Sequence, residues 1–261
     1  MESLLRVSSL EELERCVLEG YSGVLFGVEF CPHLLPHPDD VAIVRQKLRA
    51  LDMTLTLVTP VVREAHFEVV CDWLTSSIAD GEEWVANDWG LMKRMREEGL
   101  NNPVTAGRLL SRQRRGPRVL DMMAAADIYQ KRALRANIWG DPAIVELGAK
   151  LGMRGVEVDA TLQGVEPFTM PKDFILTVCG PHIPVTLAIA CPWNIEGATR
   201  PERCHRPCRR HSTVIMENAE NSARIYVGSN AQFIKVEAPY VYRLAEELGA
   251  GWIAWSETLP I

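Results

Sequence analysis

Short apolar, often β-branched runs alternate with amphipathic stretches along most of this chain, and that alternation limits the fold more than any other feature. Val24-Leu25-Phe26-Gly27-Val28, Thr54-Leu55-Thr56-Leu57-Val58, Trp84-Val85-Ala86 and Pro103-Val104-Thr105-Ala106 read as strands, the first of them opening the series. Gly155 to Val158, Phe174 to Val178, Val185 to Ala190, Arg224 to Val227, Phe233 to Val236 and Trp252 to Trp255 extend it. Helices are read between them. Ser9 with Glu12 has the form of a capping box, Asp141-Pro142 opens a helix that stops at Gly152, and Pro239 begins one that ends at Gly249. Strands separated by helices at short spacing pair in parallel.

About eight strand positions in 261 residues match an eight-stranded (β/α) barrel. Connections near the C-terminus lack an obvious helix, so the expected fold is α/β, an irregular (β/α)8 TIM-like barrel. Residues 1–261 are read as one domain, with a basic loop and inserted helix at 108–137 and a cysteine-bearing loop at 191–212. An open doubly wound sheet is the runner-up, without its usual G-x-G-x-x-G turn.

Composition excludes several other classes. At 47% apolar and 24% charged, the chain is no disordered tail, coiled coil or collagen-like fibre. Its longest nearly apolar stretch, Ile183 to Trp193, is too short to span a bilayer, so no membrane insertion is expected. The N-terminus lacks a basic segment followed by an apolar one, which predicts a cytoplasmic protein. The net charge of −6 requires any anion-binding surface to be local. Arg108, Arg112, Arg114, Arg115 and Arg118 share one acid-free stretch; Arg200, Arg203, Arg206, Arg209 and Arg210 share another with Glu202.

Chemistry on a parallel barrel gathers at the carboxyl ends of strands. Those ends carry Glu29 and Cys31, then Asn87 and Asp88, Gly107 and Arg108, Asp159, Cys191, and Ser256 with Glu257. Cys31 and Cys191 would then share a rim although 160 positions separate them, with Cys204 and Cys208 folding back onto it. In a chain without a secretion signal, such thiols are read as metal ligands before disulfides. Cys16 and Cys71, on apolar helix faces, read as small buried hydrophobes. Cys204 and Cys208 lie among Arg, His and Pro and do not.

The set Cys31, Cys191, Cys204 and Cys208 suits Zn²⁺ or a [4Fe–4S] cluster. C-x3-C fits a zinc knuckle less well than C-x2-C, although His205 or His211 could complete a mixed zinc site. Neighbouring arginines would offset a cluster's negative charge. Asp88, Asp159 and Glu29 are candidate acid–base residues, with helix capping the competing role for Asp88. Arg108 and Arg112 are candidate contacts for a small anionic substrate.

Three segments resemble the collagenase-like peptidase family, and within it the UbiU/UbiV branch, with UbiV-like spacing. They are Gly27-Val28-Glu29-Phe30-Cys31; Asn87-Asp88-Trp89-Gly90 with Pro103-Val104-Thr105-Ala106-Gly107; and His182-Ile183-Pro184 leading to Cys191-x12-Cys204-x3-Cys208 behind Arg200-Pro201. The resemblance implies a TIM-like barrel with a [4Fe–4S] cluster on Cys31, Cys191, Cys204 and Cys208. It also implies a homologous UbiU-like subunit as heterodimer partner and a part in oxygen-independent hydroxylation of the ubiquinone-biosynthesis type. His182, inside the third segment, joins the candidate substrate contacts.

The family's Tyr-Ser before the second cysteine is replaced here by Leu187-Ala188-Ile189-Ala190, which points to a different substrate. The extra C-terminal domain of longer members is missing, which disfavours an RNA substrate. Two competing functions remain: a peptidase, although the chain has no H-E-x-x-H or G-x-S-x-G, and a zinc-stabilised, non-catalytic assembly subunit.

Overall fold

The computed structural model describes residues 1–188, 191–194, 204–210, 213–217 and 223–261. Its barrel strands are β1 (Glu2–Val7), β2 (Gly23–Gly27), β3 (Thr54–Val58), β4 (Glu83–Ala86), β5 (Val104–Ala106), β6 (Met153–Asp159), β7 (Ile175–Gly180) and β12 (Trp252–Trp255). They close in the order β1-β12-β7-β6-β5-β4-β3-β2. Every pairing around the ring is parallel, and β1 bonds to both β12 and β2. The molecule is therefore a single α/β TIM-like barrel, and closure excludes the open doubly wound sheet.

The number of barrel strands agrees with the sequence reading, but their membership differs. Glu2–Val7 leads the ring, so Glu29 and Cys31 follow the second strand rather than the first. The run after Pro184 belongs to a separate four-stranded sheet in the order β8 (His182–Leu187), β11 (Ala231–Lys235), β10 (Ile225–Gly228), β9 (Val214–Met216). That sheet is antiparallel throughout. Cys191 thus follows a strand of this appended sheet and reaches the barrel mouth from above it.

Helices α1 (Leu10–Arg15), α2 (Pro38–Ala50), α3 (Phe67–Ser77), α4 (Trp89–Glu97), α5 (Arg118–Ala125), α6 (Ile128–Arg135), α7 (Pro142–Lys150) and α8 (Ala238–Leu248) lie on the chain between strands. β6 runs to β7 through irregular residues 160–174, the irregularity the sequence predicts. The inserted helix expected within 108–137 is two helices. Asp127 breaks it by accepting from the Gln130 N–H at 2.8 Å, while the Gln130 side chain accepts from the Asp127 N–H at 2.9 Å. The capping box at α1 is also shifted. Ser9 Oγ accepts from the Glu12 N–H, but the Glu12 carboxylate turns to the N–H and hydroxyl of Ser8. Among the described residues no helix is long and apolar enough to cross a membrane.

Side chains on a strand alternate between its two faces. Leu5, Phe26, Leu57, Val156 and Val178 face outward into the main core beneath the helices. Leu4, Leu25, Val58, Val85, Cys179 and Ala254 take the alternate positions and form a second buried cluster, the lumen. The same alternation carries Arg6, Glu29, Glu157 and Asp159 into the carboxyl end of that lumen. Gly27 lets β2 pass close to β3 just before Glu29: its φ is +138°, and a Cβ there would sit 2.2 Å from the Val58 carbonyl oxygen.

Candidate functional site

Cys31, Cys191, Cys204 and Cys208 line one small, partly open cavity of about 30 Å³ at the carboxyl end of the barrel. Three local structures present them. Cys31 leaves the end of β2 and caps a 3-10 turn over Pro32–Leu34, its carbonyl accepting from the Leu34 N–H at 3.0 Å. Cys191 is held by an isolated antiparallel bridge to Asn194. Cys208 sits in a 3-10 turn over Pro207–Arg210, and Cys204 lies just before it. All four are free and partly buried. Burial pushes the Cys31 thiol up to about 11, with Cys204, Cys208 and Cys191 adding to the shift. Burial also raises Cys208, and Cys191 and Cys204 raise it further. The thiols therefore sit close enough to oppose one another's ionisation, and a cation among them would reverse that preference.

Two histidines complete this wall. His33 and His66 approach edge to face, ring centroids 4.6 Å apart, with their Nε2 atoms at 3.1 Å. Burial lowers the pKa of both, so one neutral ring donates to the other. The Nδ1 of His66 is buried without a partner among the described residues. His205, the mixed-site ligand read from sequence, is exposed and does not line the cavity. His211 lies outside the described residues, as do Ile189, Ala190, Arg200, Pro201 and Arg203.

The donor chemistry fits a soft metal centre. Among the described residues the cavity is lined by thiols and imidazoles, with Arg63 and Arg206 and no Asp or Glu, which suits zinc or an iron–sulfur cluster rather than calcium or magnesium. Among the described residues no three His, Cys, Asp or Glu side chains are already drawn together as a chelate for one ion.

Beside the cavity, the carboxyl end of the lumen is filled by ions. Arg108 leaves the end of β5 at 1% exposure. Its Nε donates to Glu29 Oε1 at 2.9 Å and its Nη2 to Oε2 at 2.5 Å, a bidentate pair. Its Nη1 donates to Asp159 Oδ1 at 3.1 Å and to the His182 carbonyl at 2.8 Å, and Phe30 lies under the guanidinium. Arg6 pairs with Glu29 at 2.6 Å and with Glu157. Arg115 Nε donates to Asp159 Oδ2 at 2.6 Å. Gln113 brackets the Asp159 backbone, donating to its carbonyl at 3.0 Å and accepting from its N–H at 2.7 Å.

Three guanidinium groups thus face three carboxylates. Burial alone would raise Glu29, but Arg108 and Arg6 outweigh it and hold that acid low. For Glu157 burial prevails over Arg6 and raises it. Burial works against the charge on Arg108, yet Glu29 and Asp159 keep its pKa well above the ordinary value.

Arg108 was read from sequence as a substrate contact; in the structure it is buried in this network. Its donors go to Glu29, Asp159 and the His182 carbonyl, buried acceptors of which the two acids are shared with Arg6 and Arg115. Glu29 and Asp159, the candidate acid–base residues, are its partners. Asp88 is the N-cap of α4, its Oδ1 accepting from the Leu91 N–H at 3.0 Å, which is the competing role foreseen for it. Arg112 caps the 3-10 turn Arg108–Ser111 with a left-handed φ of 53° and is exposed. His182 is buried, with its Nδ1 unpartnered among the described residues, and burial lowers its pKa to about 4. Ser256 is itself buried.

Arg6, Glu157, Gln113, His33 and His66 escaped the sequence reading. For Arg6 and Glu157 a signal existed, since each interrupts an apolar strand at a position alternating toward the lumen.

No family model and no curated protein matches the chain. Solved structures match it across nearly its whole length. CutC from Streptococcus agalactiae, assigned to copper homeostasis, shares 8% identity over 98% of each chain with a TM-score of 0.49. A glycoside hydrolase family 18 N-acetylglucosaminidase from Paenibacillus barengoltzii shares 13% over 98% of this chain and 94% of its own, with a TM-score of 0.41. The U32 peptidase Mk0906 shares 12% over 99% of this chain and 93% of its own, with a TM-score of 0.51. At such identities, the likeness to the U32 peptidase establishes a common TIM-like barrel fold.

Proposed function

We propose that this chain is an iron–sulfur protein in which Cys31, Cys191, Cys204 and Cys208 hold a [4Fe–4S] cluster, acting as a redox component of an oxygen-independent hydroxylation like that of the UbiU/UbiV branch. One observation carries the reading: four cysteines from distant parts of the sequence line one small cavity. A tetrahedral zinc site needs its sulfurs about 3.8 Å apart, given Zn–S bonds near 2.3 Å. A cuboidal cluster would hold its four ligands farther apart, around its inorganic core. The bound cluster would supply one-electron chemistry.

The chain's own residues would supply the rest. The Arg6–Glu29–Arg108 network fixes the end of β2 and hence the direction in which Cys31 leaves it. His33 and His66 line the same wall and exclude water from it. The exposed apolar edge strand β9, with Val214, Ile215 and Met216, offers a partner subunit a surface. A zinc-stabilised assembly subunit is the second reading, favoured by the two imidazoles in the wall. Peptidase chemistry has no support in the buried Ser256.

Anaerobic purification tests the proposal. The expected product is brown, with about four iron and four sulfide per chain. Cys208→Ser should bleach it and expose the segment around it to protease, while Cys71→Ser, altering a buried thiol of α3, should keep its colour. Colourless protein with one zinc per chain selects the second reading, and a coloured Cys208→Ser protein refutes the ligand set.

A further inference from the structure

We propose that Asn230 is the positioning residue of the thiol pocket, joining the arm that carries Cys31 to the arm that carries Cys191. The inference rests on the reading of the four cysteines as one site. Asn230 occupies the two-residue turn between β10 and β11 and is 5% exposed. Its Nδ2 donates to the Phe30 carbonyl at 3.0 Å and to the Ala188 carbonyl at 3.4 Å. Phe30 immediately precedes Cys31, and Ala188 lies three residues before Cys191. One amide therefore spends both its hydrogens on the two chain segments that deliver these thiols.

The clamp is reinforced from the backbone. The Asn230 carbonyl accepts from the Ala188 N–H at 2.7 Å, and Ser229 Oγ donates to Asn230 Oδ1 at 3.3 Å. Ser229 holds a left-handed φ of 47°, a conformation a serine adopts at a cost a glycine would avoid. Phe233 of β11 packs edge to face on Phe30 at 5.1 Å, so the same hairpin grips the Cys31 arm by an apolar contact as well. Both Ser229 and Asn230 line the cavity. Phe30 and Ala188 are 158 positions apart, and the Asn230 amide ties both to one side chain by direct hydrogen bonds.

The experiment compares wild type with Asn230→Asp, Asn230→Ala and Asn230→Ser, each checked for an unchanged far-ultraviolet circular dichroism spectrum. Metal-free protein is treated with a short bismaleimide, and the Cys31–Cys191 cross-linked peptide is measured by mass spectrometry. In parallel, protein loaded with ferrous iron and sulfide is followed by its visible absorption as a chelator removes the iron. Asn230→Asp is nearly isosteric but directs acceptors at two carbonyl oxygens, so it should do most damage. It should cut cross-linking at least fivefold and speed iron loss about 10–100-fold, the size typical of supports behind metal ligands. Asn230→Ser keeps one donor and should fall between Asp and wild type.

Wild-type cross-linking and wild-type iron loss in the folded Asp and Ala variants overturn the proposal, as does the absence of a Cys31–Cys191 link in wild type. A chain that takes up no iron but shows the expected order of cross-linking refutes the cluster reading and keeps Asn230 in its role. If Asn230→Asp and Asn230→Ala do not fold, Asn230→Ser decides: unchanged cross-linking there overturns the proposal.

Discussion

Replacing Arg108 by Met would strip the lumen of its central cation while keeping most of the side chain's apolar stem. Four side-chain hydrogen bonds go with it: two to Glu29, one to Asp159 and one to the His182 carbonyl. Glu29 retains Arg6, and Asp159 retains Arg115, so neither acid is wholly abandoned. Glu29 is nevertheless 1% exposed and Asp159 0%, and Glu29 loses two bonds and Asp159 one in a place water does not reach. Removing one partner of a buried ion pair costs about 3–5 kcal/mol. In a domain of this size that lowers Tm by roughly 6–20 °C.

Urea unfolding followed by circular dichroism measures the loss directly. The double variant Arg108→Met with Glu29→Gln should recover part of it, because the uncompensated charge is gone; a coupling of about 1–3 kcal/mol is expected. The deficit should also depend on pH. Glu29 is held low in the fold, so its contribution is present above the ordinary carboxylate pKa and lost as pH falls through its folded value. The difference between wild type and variant should therefore shrink below about pH 4. A loss under about 1 kcal/mol at neutral pH, the value for exposed pairs, would refute the claim that this network holds the barrel mouth.

Two further outcomes follow from the same geometry. Gly27→Ala forces a Cβ to within 2.2 Å of the Val58 carbonyl oxygen at a φ of +138° and should cost more than about 3 kcal/mol; an unshifted urea midpoint would contradict the close β2–β3 approach. Burial holds the His182 imidazole down to about 4, so an unfolded chain takes up a proton that the folded one refuses, and stability should fall as pH drops from about 6.5 to about 4. His33 and His66 shift in the same direction and add to that slope. His182→Gln should flatten part of it, and an identical pH profile in that variant would show that His182 does not titrate as a buried neutral ring.

The barrel was legible because its strands are short, apolar and separated by helices with clear stops. Asp141-Pro142 and Gly249 mark ends that the structure keeps. β1 was not, because Arg6 breaks its apolar run, and the reason for that arginine is a pair of acids far along the chain. The antiparallel sheet β8-β11-β10-β9 looked like barrel because an extended run does not declare its partners. The cysteines were legible from their crowding after Cys191, and Cys31 joined them once a barrel was assumed. Arg108 was located at a strand end and read as a substrate contact, without its internal partners. A charged side chain reads as solvent-facing until its counter-ions, Glu29 and Asp159, are brought to it by tertiary closure. His33, His66 and Asn230 carry no local signal of their positions; only the folded mouth assembles them.

The thiol pocket also imposes an order in time. Cys31 emerges early from the ribosome, and the 160 positions to Cys191 occupy roughly 8–30 s at about 5–20 residues per second. Throughout that interval Cys31 is the one thiol of the four yet made, although Cys71 and Cys179 also appear, and the strand that seals the ring, β12, follows all four in sequence. On the proposed reading of these four cysteines as ligands, an inorganic centre would be completed only after Cys208 has been made, because three of the four thiols lie within residues 191–208.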